Sequence, residues 1–122
     1  MSRTEIIKML ETFFALIDAQ DFEKIIDFFT EDATLIFPGA PPRKGKKEIM
    51  GFYDEAKQQT SESEHIINKI IIDDTNAAVV IDGKVTQKDG RIIEFPDVNI
   101  FEIKDLKVYK VQVYLDTALF AE

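Results

Sequence analysis

The sequence predicts an α+β domain in which three N-terminal helices pack on a curved antiparallel sheet. The first half of the chain carries apolar residues at helical spacing in three segments, residues 4–19, 21–29 and 48–59. The second half is a series of β-branched and aromatic runs that polar turns separate. A chain of 122 residues has the length of one domain with one core. Helices that precede an antiparallel sheet are typical of the α+β class, in which they cover one face of the sheet.

Each predicted helix has one apolar face. In the first, residues 4–19, that face comprises Ile6, Ile7, Leu10, Phe13, Phe14 and Ile17. The second begins after Asp21, a favourable N-cap residue, and its apolar set is Phe22, Ile25, Ile26 and Phe29. The third, residues 48–59, presents Ile49, Phe52, Tyr53 and Ala56 on one side. These faces predict that all three helices pack on a sheet.

Five strands are predicted, and their ranges are 33–37, 64–73, 77–86, 92–103 and 108–116. Pro38 and Gly39 end the first strand. Residues 74–76, Asp-Thr-Asn, form a turn between the second and third strands, because their side chains bond the backbone and tolerate turn geometry. Polar turns at 88–91 and 104–107 precede the last two strands. Turns at this spacing indicate an antiparallel meander.

Alternation along the strands predicts which side chains face the helices. In the strand 77–86 the inward set is Val79, Ile81, Gly83 and Val85. In the last strand it is Tyr109, Val111, Val113 and Leu115. The outward set then contains Val80, Val98, Ile100 and Tyr114, which predicts a homodimer through the sheet face because such a patch is too apolar to leave bare.

The strand 92–103 carries the candidate acid or base. One of its faces holds Ile93, Phe95, Asp97, Asn99, Phe101 and Ile103. If the apolar members decide the face, Asp97 and Asn99 point into the interior, where desolvation raises the pKa of a carboxyl and suits it to general acid or base catalysis. The alternative is that Pro96 marks a bulge or an edge that turns Asp97 to solvent.

Composition narrows the function classes. The formal net charge of −8 disfavours nucleic acid as a partner, because duplex binding relies on cationic side chains. The absence of cysteine excludes disulfides and zinc–thiolate sites, and no apolar run reaches the length of a membrane span, so we expect a cytoplasmic protein without a membrane partner. A basic cluster, Arg43, Lys44, Lys46 and Lys47, is interpreted as a solvated loop, with an anion site at a pocket mouth as the alternative.

Four short segments between residues 15 and 53 match one known superfamily. They are Asp21-Phe22, the FTEDAT run at 29–34, the loop 39–45 and the stretch from Glu48-Ile49 to Phe52-Tyr53. The chain resembles the NTF2-like superfamily, which includes ketosteroid isomerase, limonene epoxide hydrolase, scytalone dehydratase and the SnoaL-type polyketide cyclases. The resemblance implies an NTF2-like (cystatin-like) cone with a pocket at its open end, as a single SnoaL-like domain spanning residues 1–122. It implies no one reaction, since this fold hosts many chemistries.

Comparison with ketosteroid isomerase shows which of that enzyme's catalytic groups are missing from this chain. The position of that family's base holds Phe37, and the best match to its oxyanion-hole tyrosine is Phe13. Asn99 stands at the position of its protonated aspartate, and Tyr53 matches its neighbouring tyrosine. The resemblance therefore implies that steroid isomerisation by that mechanism does not occur. Tyr53 and Asn99 remain as groups that hydrogen-bond an oxygen of a ligand.

His65 is the only histidine in the chain, which excludes a multi-histidine metal site. The motif HIIN at 65–68 resembles an H-x-x-N pattern at the start of this strand in some SnoaL-like proteins. Two interpretations stay open: a functional histidine in the pocket, or a surface histidine on the face opposite Ile66, Ile70 and Ile72. Asn68 shares the parity of those isoleucines, so we expect it to be able to reach the pocket.

Two functional hypotheses follow, with a third as their alternative. The first is a cofactor-independent, metal-free enzyme that performs proton transfer, cyclisation, dehydration or hydration on a small, largely apolar molecule, with Asp97 as acid or base. The second is a non-catalytic binder or carrier of such a molecule. In both, the ligand-binding residues are Tyr53, Asn99, Phe13, Phe37, Phe95 and Phe101. The third is a dimeric association domain with a filled core.

Overall fold

Three helices cover one face of a six-stranded, curved sheet in the computed structural model, which describes residues 1–121. The helices are α1 (Arg3–Asp18), α2 (Phe22–Ile26) and α3 (Gly45–Gln59). The strands are β1 (Phe29–Ile36), β2 (Arg43–Lys44), β3 (Thr60–Asp73), β4 (Asn76–Gln87), β5 (Ile92–Lys104) and β6 (Lys107–Tyr114), and a 3₁₀ turn at Thr117–Phe120 follows them. The predicted α+β class is confirmed. None of the described helices has both the length and the apolar character that a membrane span requires.

The sheet is mixed rather than wholly antiparallel. Its strand order is β2-β1-β6-β5-β4-β3, and β1 runs parallel to β6. The remaining neighbours are antiparallel, and β3 to β6 form the predicted meander. Side-chain alternation shows which face of a strand is buried, but it does not show the strand's neighbour or direction. The parallel pair joins residues almost eighty positions apart, such as Phe29 and Val108.

The short helix α2 ends before Phe29, which was predicted to belong to it. Phe29 begins β1, and the backbone N–H of Val108 donates to the Phe28 carbonyl at 2.6 Å. Phe29 is fully buried all the same, because the inward position at the start of β1 continues the apolar spacing of the helix. Asp21 precedes α2 as predicted, but its side chain makes no cap hydrogen bond and lies 3.4 Å from Lys24 Nζ.

A β-bulge in β3 changes which residues face the helices. The register pairs Ile67 with Ile81 and Lys69 with Val80, so one residue of β3 is extra at this point. Before the bulge the odd-numbered residues face inward, and Ile66 is 52% exposed. The expectation that Asn68 reaches the pocket is therefore wrong: Asn68 is exposed, and its Nδ2 donates to Asp82 Oδ2 at 3.0 Å on the outer face.

Another bulge, between β5 and β6, displaces Tyr109. The register pairs Ile103 with Val108 and Glu102 with Lys110, which leaves Tyr109 without an opposite residue. Val108 and Val111 are buried instead, and the Tyr109 ring lies 3.7 Å from Lys104 Nζ. The prediction that Tyr109 belongs to the inward set is therefore wrong, because the bulge reverses alternation at the start of the strand.

Strand β5 alternates without interruption beside β4. Every pair from Asn76 with Glu102 to Thr86 with Ile92 is in register, including Asp82 with Pro96. The residues predicted to face inward are all buried: Ile93, Phe95, Asp97, Asn99, Phe101 and Ile103. Pro96 is tolerated inside the strand without a bulge, so Asp97 does not turn to solvent.

Candidate functional site

A cavity of about 530 Å³ opens between the helices and the concave face of the sheet. Its wall includes residues from all three helices and all six strands, and most of it is aromatic or aliphatic. The cavity therefore has a largely apolar wall that carries a few polar groups, which is the composition typical of small-molecule sites. The polar and ionisable wall residues that matter for chemistry are Arg43, Tyr53, Glu55, His65, Asp97 and Asn99.

Asp97 is a buried carboxyl in this wall. It projects from the middle of β5 and is 5% exposed. Its Oδ1 has no hydrogen-bond partner among residues 1–121. Burial raises the pKa of Asp97, and the nearby Asn99 amide and His65 ring oppose that rise only in part. A carboxyl with a raised pKa and a free oxygen is suited to exchange protons with a bound molecule.

Asn99 places a free donor beside this free acceptor. It lies two residues further along β5 on the same face, and it is 6% exposed. Its Nδ2 has no partner in the described part of the chain, so its effect on Asp97 is that of a neighbouring dipole and not of a formed hydrogen bond. Unpaired buried polar atoms are rare in folded proteins, and here a free donor and a free acceptor lie on the same face of β5 in the cavity wall.

His65 lies in the cavity wall and is held there by Asp18. The Asp18 Oδ1 atom is 2.5 Å from His65 Nδ1, and Oδ2 accepts from the His65 backbone N–H at 2.8 Å. Ser63 Oγ also donates to Asp18 Oδ1, at 2.8 Å. Burial raises the pKa of Asp18, but its hydrogen bonds to His65 and Ser63 outweigh burial and leave the pKa below its usual value. The surface interpretation of His65 is therefore wrong, because the bulge in β3 turns this residue inward.

Asp18 and Ser63 were not found by sequence analysis. Asp18 is the last residue of α1 and lies 47 positions before His65, so no short motif connects the two. One signal was available, namely an acidic residue at the end of a helix where the macrodipole favours cations. Such a residue needs a positive or hydrogen-bonding partner, which the fold supplies on β3.

Tyr53 is buried against the aromatic wall. Its ring stacks on Phe22 at 5.1 Å and meets Phe52 edge-on at 5.3 Å. Burial raises the pKa of the Tyr53 phenol, which stays protonated at neutral pH. Its hydroxyl makes no hydrogen bond to residues 1–121 and remains available as a donor.

The predicted aromatic residues divide between the cavity and the core behind it. Phe13, Phe37 and Phe95 line the cavity. Phe101 does not: it is fully buried, with its ring 5.5 Å from Phe13 and 6.0 Å from Phe14. The prediction of Phe101 as a ligand-binding residue is corrected accordingly, because it shares the inward face of Asp97 but lies under α1.

The 3₁₀ turn Thr117–Phe120 lies along one side of the cavity. Phe120 of the 3₁₀ turn packs on Phe95 at 5.1 Å, and both rings line the cavity. The Arg91 guanidinium donates to the carbonyl oxygens of Phe120 and Ala121 at 3.0 and 2.7 Å. Gly83 on β4 makes room for the Phe95 ring, since a Cβ there would overlap it. Sequence analysis assigned no role to Phe120 or Arg91.

The fold and the cavity between its helices and sheet are those of a known protein family. The chain belongs to the SnoaL-like domain family, whose model matches residues 10–111. This confirms the resemblance to the NTF2-like superfamily. No curated protein matches the sequence.

Solved structures with the same fold include an epoxide hydrolase and a candidate polyketide cyclase. A candidate SnoaL-like polyketide cyclase from Jannaschia sp. CCS1 has a TM-score of 0.85 at 16% identity, over 100% of this chain and 97% of that one. TerC, crystallised with polyporic acid, has a TM-score of 0.85 at 18% identity, over 95% of each chain. An LEH-like epoxide hydrolase from M. tuberculosis has a TM-score of 0.82 at 17% identity, over 94% of this chain and 85% of that one. At these identities the likeness concerns the fold.

Proposed function

We propose that this protein is an enzyme that moves a proton on a small, largely apolar molecule bearing an oxygen function, with Asp97 as the acid or base. The single observation that carries the proposal is the buried Asp97 carboxyl, with a free oxygen and a raised pKa, in the wall of a mostly apolar cavity. Leaving an acceptor unpaired in a folded protein costs stability, and such costs concentrate at functional sites. The fold's occurrence in a candidate cyclase and an epoxide hydrolase supports a catalytic role.

The neighbouring groups have complementary roles in such a step. The Asp97 carboxylate removes a proton from a carbon next to a carbonyl, and the electron pair moves onto the carbonyl oxygen. The Asn99 Nδ2–H donates a hydrogen bond to that oxygen as its negative charge develops. Asp18 accepts from His65 Nδ1–H and so leaves Nε2 as the free ring nitrogen, which serves as a second proton donor or acceptor. Return of the proton to another carbon completes an isomerisation. In a dehydration the enolate expels a β-hydroxyl group, which takes the proton and leaves as water. In a cyclisation the enolate carbon bonds to a second carbonyl carbon of the substrate, and the oxygen of that carbonyl takes the proton.

Proton exchange in D₂O tests this proposal with simple ketones, whatever the natural substrate is. NMR follows loss of the α-proton signals of small ketones such as 4-phenyl-2-butanone and 1-indanone in the presence of protein. We expect the wild type to accelerate exchange, and Asp97→Asn to reduce the acceleration about 10²–10⁴-fold because it keeps the shape and removes the base. Asp82→Asn is the matched control, since Asp82 is an exposed carboxylate on the outer face of β4. Equal exchange rates for wild type and Asp97→Asn would exclude the proposed role.

A non-catalytic binder is the second candidate, and the apolar residues Phe13 and Phe37 in the cavity wall favour it. In that case the ketones bind and raise the melting temperature, exchange is not accelerated, and Asp97→Asn leaves binding almost unchanged. Phe37→Asp then weakens binding, because it places a charge in the apolar wall. A cavity of this size argues against an association domain with a filled core.

The outer sheet face supports our proposal of a homodimer. Val98 pairs with both Val80 and Tyr114 in the sheet register, and Ile100 lies next to them. Tyr114 is 51% and Ile100 37% exposed in the single chain, so the patch is available to a second copy. We expect sedimentation equilibrium at micromolar concentration to give a dimer, and Ile100→Glu to give a monomer with an unchanged circular dichroism spectrum. A monomeric wild type would contradict the proposal.

We also propose a cytoplasmic location. It rests on the absence of cysteine from all 122 residues, which is a feature of the sequence rather than of the fold.

A further inference from the structure

We propose that the ligand of this cavity carries a carboxylate or a similar anion, and that Arg43 binds it. The inference rests on the proposed function, because it describes the substrate class of the same cavity. Arg43 is the only Lys or Arg among the described residues that line the cavity. The other three residues of the basic cluster, Lys44, Lys46 and Lys47, do not line it.

The Arg43 side chain packs beside α3 and lines the cavity instead of extending fully into solvent. Its backbone pairs with Leu35 in the short β1–β2 ladder, which places it at the sheet edge beside α3. The guanidinium carbon lies 5.9 Å from the Phe52 ring centroid, and Nη1 lies beside Gly51 of α3. The side chain is 28% exposed, so most of it is withdrawn from water. A partly desolvated arginine binds a carboxylate more strongly than an exposed one does.

Part of the Arg43 guanidinium has unpaired hydrogen-bond donors. Nη2 donates to Glu55 Oε2 at 2.5 Å, whereas Nε and Nη1 make no hydrogen bond to residues 1–121. Glu55 itself is 60% exposed, so this ion pair is half in water and contributes little stability. In this proposal a ligand carboxylate in the cavity accepts hydrogen bonds from the unpaired nitrogens and competes with Glu55 for the rest of the guanidinium.

The remaining wall defines the kind of anion. Phe37 packs on Phe52 at 5.4 Å, so an aromatic surface adjoins the guanidinium. The free oxygen and nitrogen of Asp97 and Asn99 lie on β5, three strands from β2 in the sheet order. An acidic molecule with an aromatic or aliphatic body and a second oxygen function satisfies both polar regions. Inorganic anions lack the apolar body and are not expected to bind.

Matched acid–amide pairs test the proposal by isothermal titration calorimetry at pH 7. The probes are trans-cinnamate, 4-phenylbutyrate and hexanoate, each with its uncharged amide. We expect at least one acid to bind the wild type more tightly than its amide, and Arg43→Gln to weaken that acid about tenfold while changing the amide less than about twofold. Glu55→Gln should strengthen the acid about threefold, because it removes the competing carboxylate. Lys46→Gln, in the first turn of α3 and outside the cavity, is the control and should change the affinity of neither the acid nor the amide.

A purely structural Arg43–Glu55 pair gives a different result. Glu55→Gln then leaves acid affinity unchanged or reduces it, and Arg43→Gln weakens acid and amide equally. Either outcome overturns the proposal, and so does the absence of any preference for the acid across the three pairs, including no binding at all. Melting temperatures of both variants establish that they are folded. These readouts do not involve proton transfer by Asp97, so failure of the catalytic proposal and failure of the anion site are distinguishable.

Discussion

Phe29→Ala is expected to lower the free energy of unfolding by about 3–5 kcal/mol, as deletion of a fully buried aromatic ring does. Phe29 has no exposed surface, and its ring lies 5.8 Å from Phe13 and 6.4 Å from Tyr53. It also begins β1 opposite Val108, where the parallel strand pair starts. The cavity left by alanine therefore sits where α1, α3 and the sheet meet, and it cannot collapse without moving one of them. Urea unfolding followed by circular dichroism measures the loss.

Lys46→Ala is the control for this measurement. Lys46 makes an ion pair of 3.3 Å with Glu31, whose side chain is 89% exposed, and such pairs are worth little. We expect its unfolding free energy to stay within about 0.5 kcal/mol of the wild type. Similar destabilisation by Phe29→Ala and Lys46→Ala would contradict the placement of Phe29 in the core.

Asp97→Asn is expected to make the protein more stable at pH 7, by about 1 kcal/mol, although it removes the proposed catalytic group. The pKa of Asp97 is raised in the folded state, so the folded protein holds this proton more tightly than the unfolded chain does. Stability therefore falls as pH rises from the unfolded pKa, near 4, through the higher folded pKa. At a pH above the folded pKa, the buried carboxylate charge destabilises the folded protein to its full extent. Asparagine carries no charge and avoids this destabilisation.

Measurements at two pH values separate this effect from a general change in packing. Below the unfolded pKa both states of the wild type are protonated at Asp97, so the advantage of asparagine should vanish near pH 3.5. Asp18 has the opposite sign: its lowered pKa contributes stability above the unfolded pKa that is lost as pH falls. Because Asp18 is present in both proteins, its contribution cancels in the comparison. A stability difference that does not change between pH 3.5 and pH 7 would show that ionisation of Asp97 does not destabilise the folded protein.

The two Asp97 predictions have one physical origin. A carboxyl held among apolar groups is more costly to ionise, and the same property lets it exchange protons near neutral pH. An asparagine variant that gains stability and loses proton exchange fits a site maintained for chemistry. A variant that loses both would indicate that Asp97 only supports the core.

Much of the architecture was predictable because its causes are local. The apolar stripe of α1 and the alternation of β5 follow from periodicity over neighbouring residues, and both are observed. Alternation also placed Asp97 and Asn99 on the face of Phe95 and Phe101, but it left open a bulge at Pro96 that would turn Asp97 to solvent. Alternation failed at Asn68 and Tyr109, because a bulge inserts one residue and its position depends on the partner strand.

The sequence by itself determined the α+β class, the three helices and the meander, because each follows from side-chain patterns and turn signals along the chain. It left open the face on which Asp97 lies, and the uninterrupted register of β5 with β4 decided it. Only the tertiary structure decided the parallel pairing of β1 with β6, the hydrogen bonds between Asp18 and His65, the position of Arg43 beside Phe52, and the packing of Phe120 on Phe95 at the side of the cavity. Each of these joins residues from separate elements. Their contact energies depend on how the sheet curves and how the helices cross it, which no local pattern encodes.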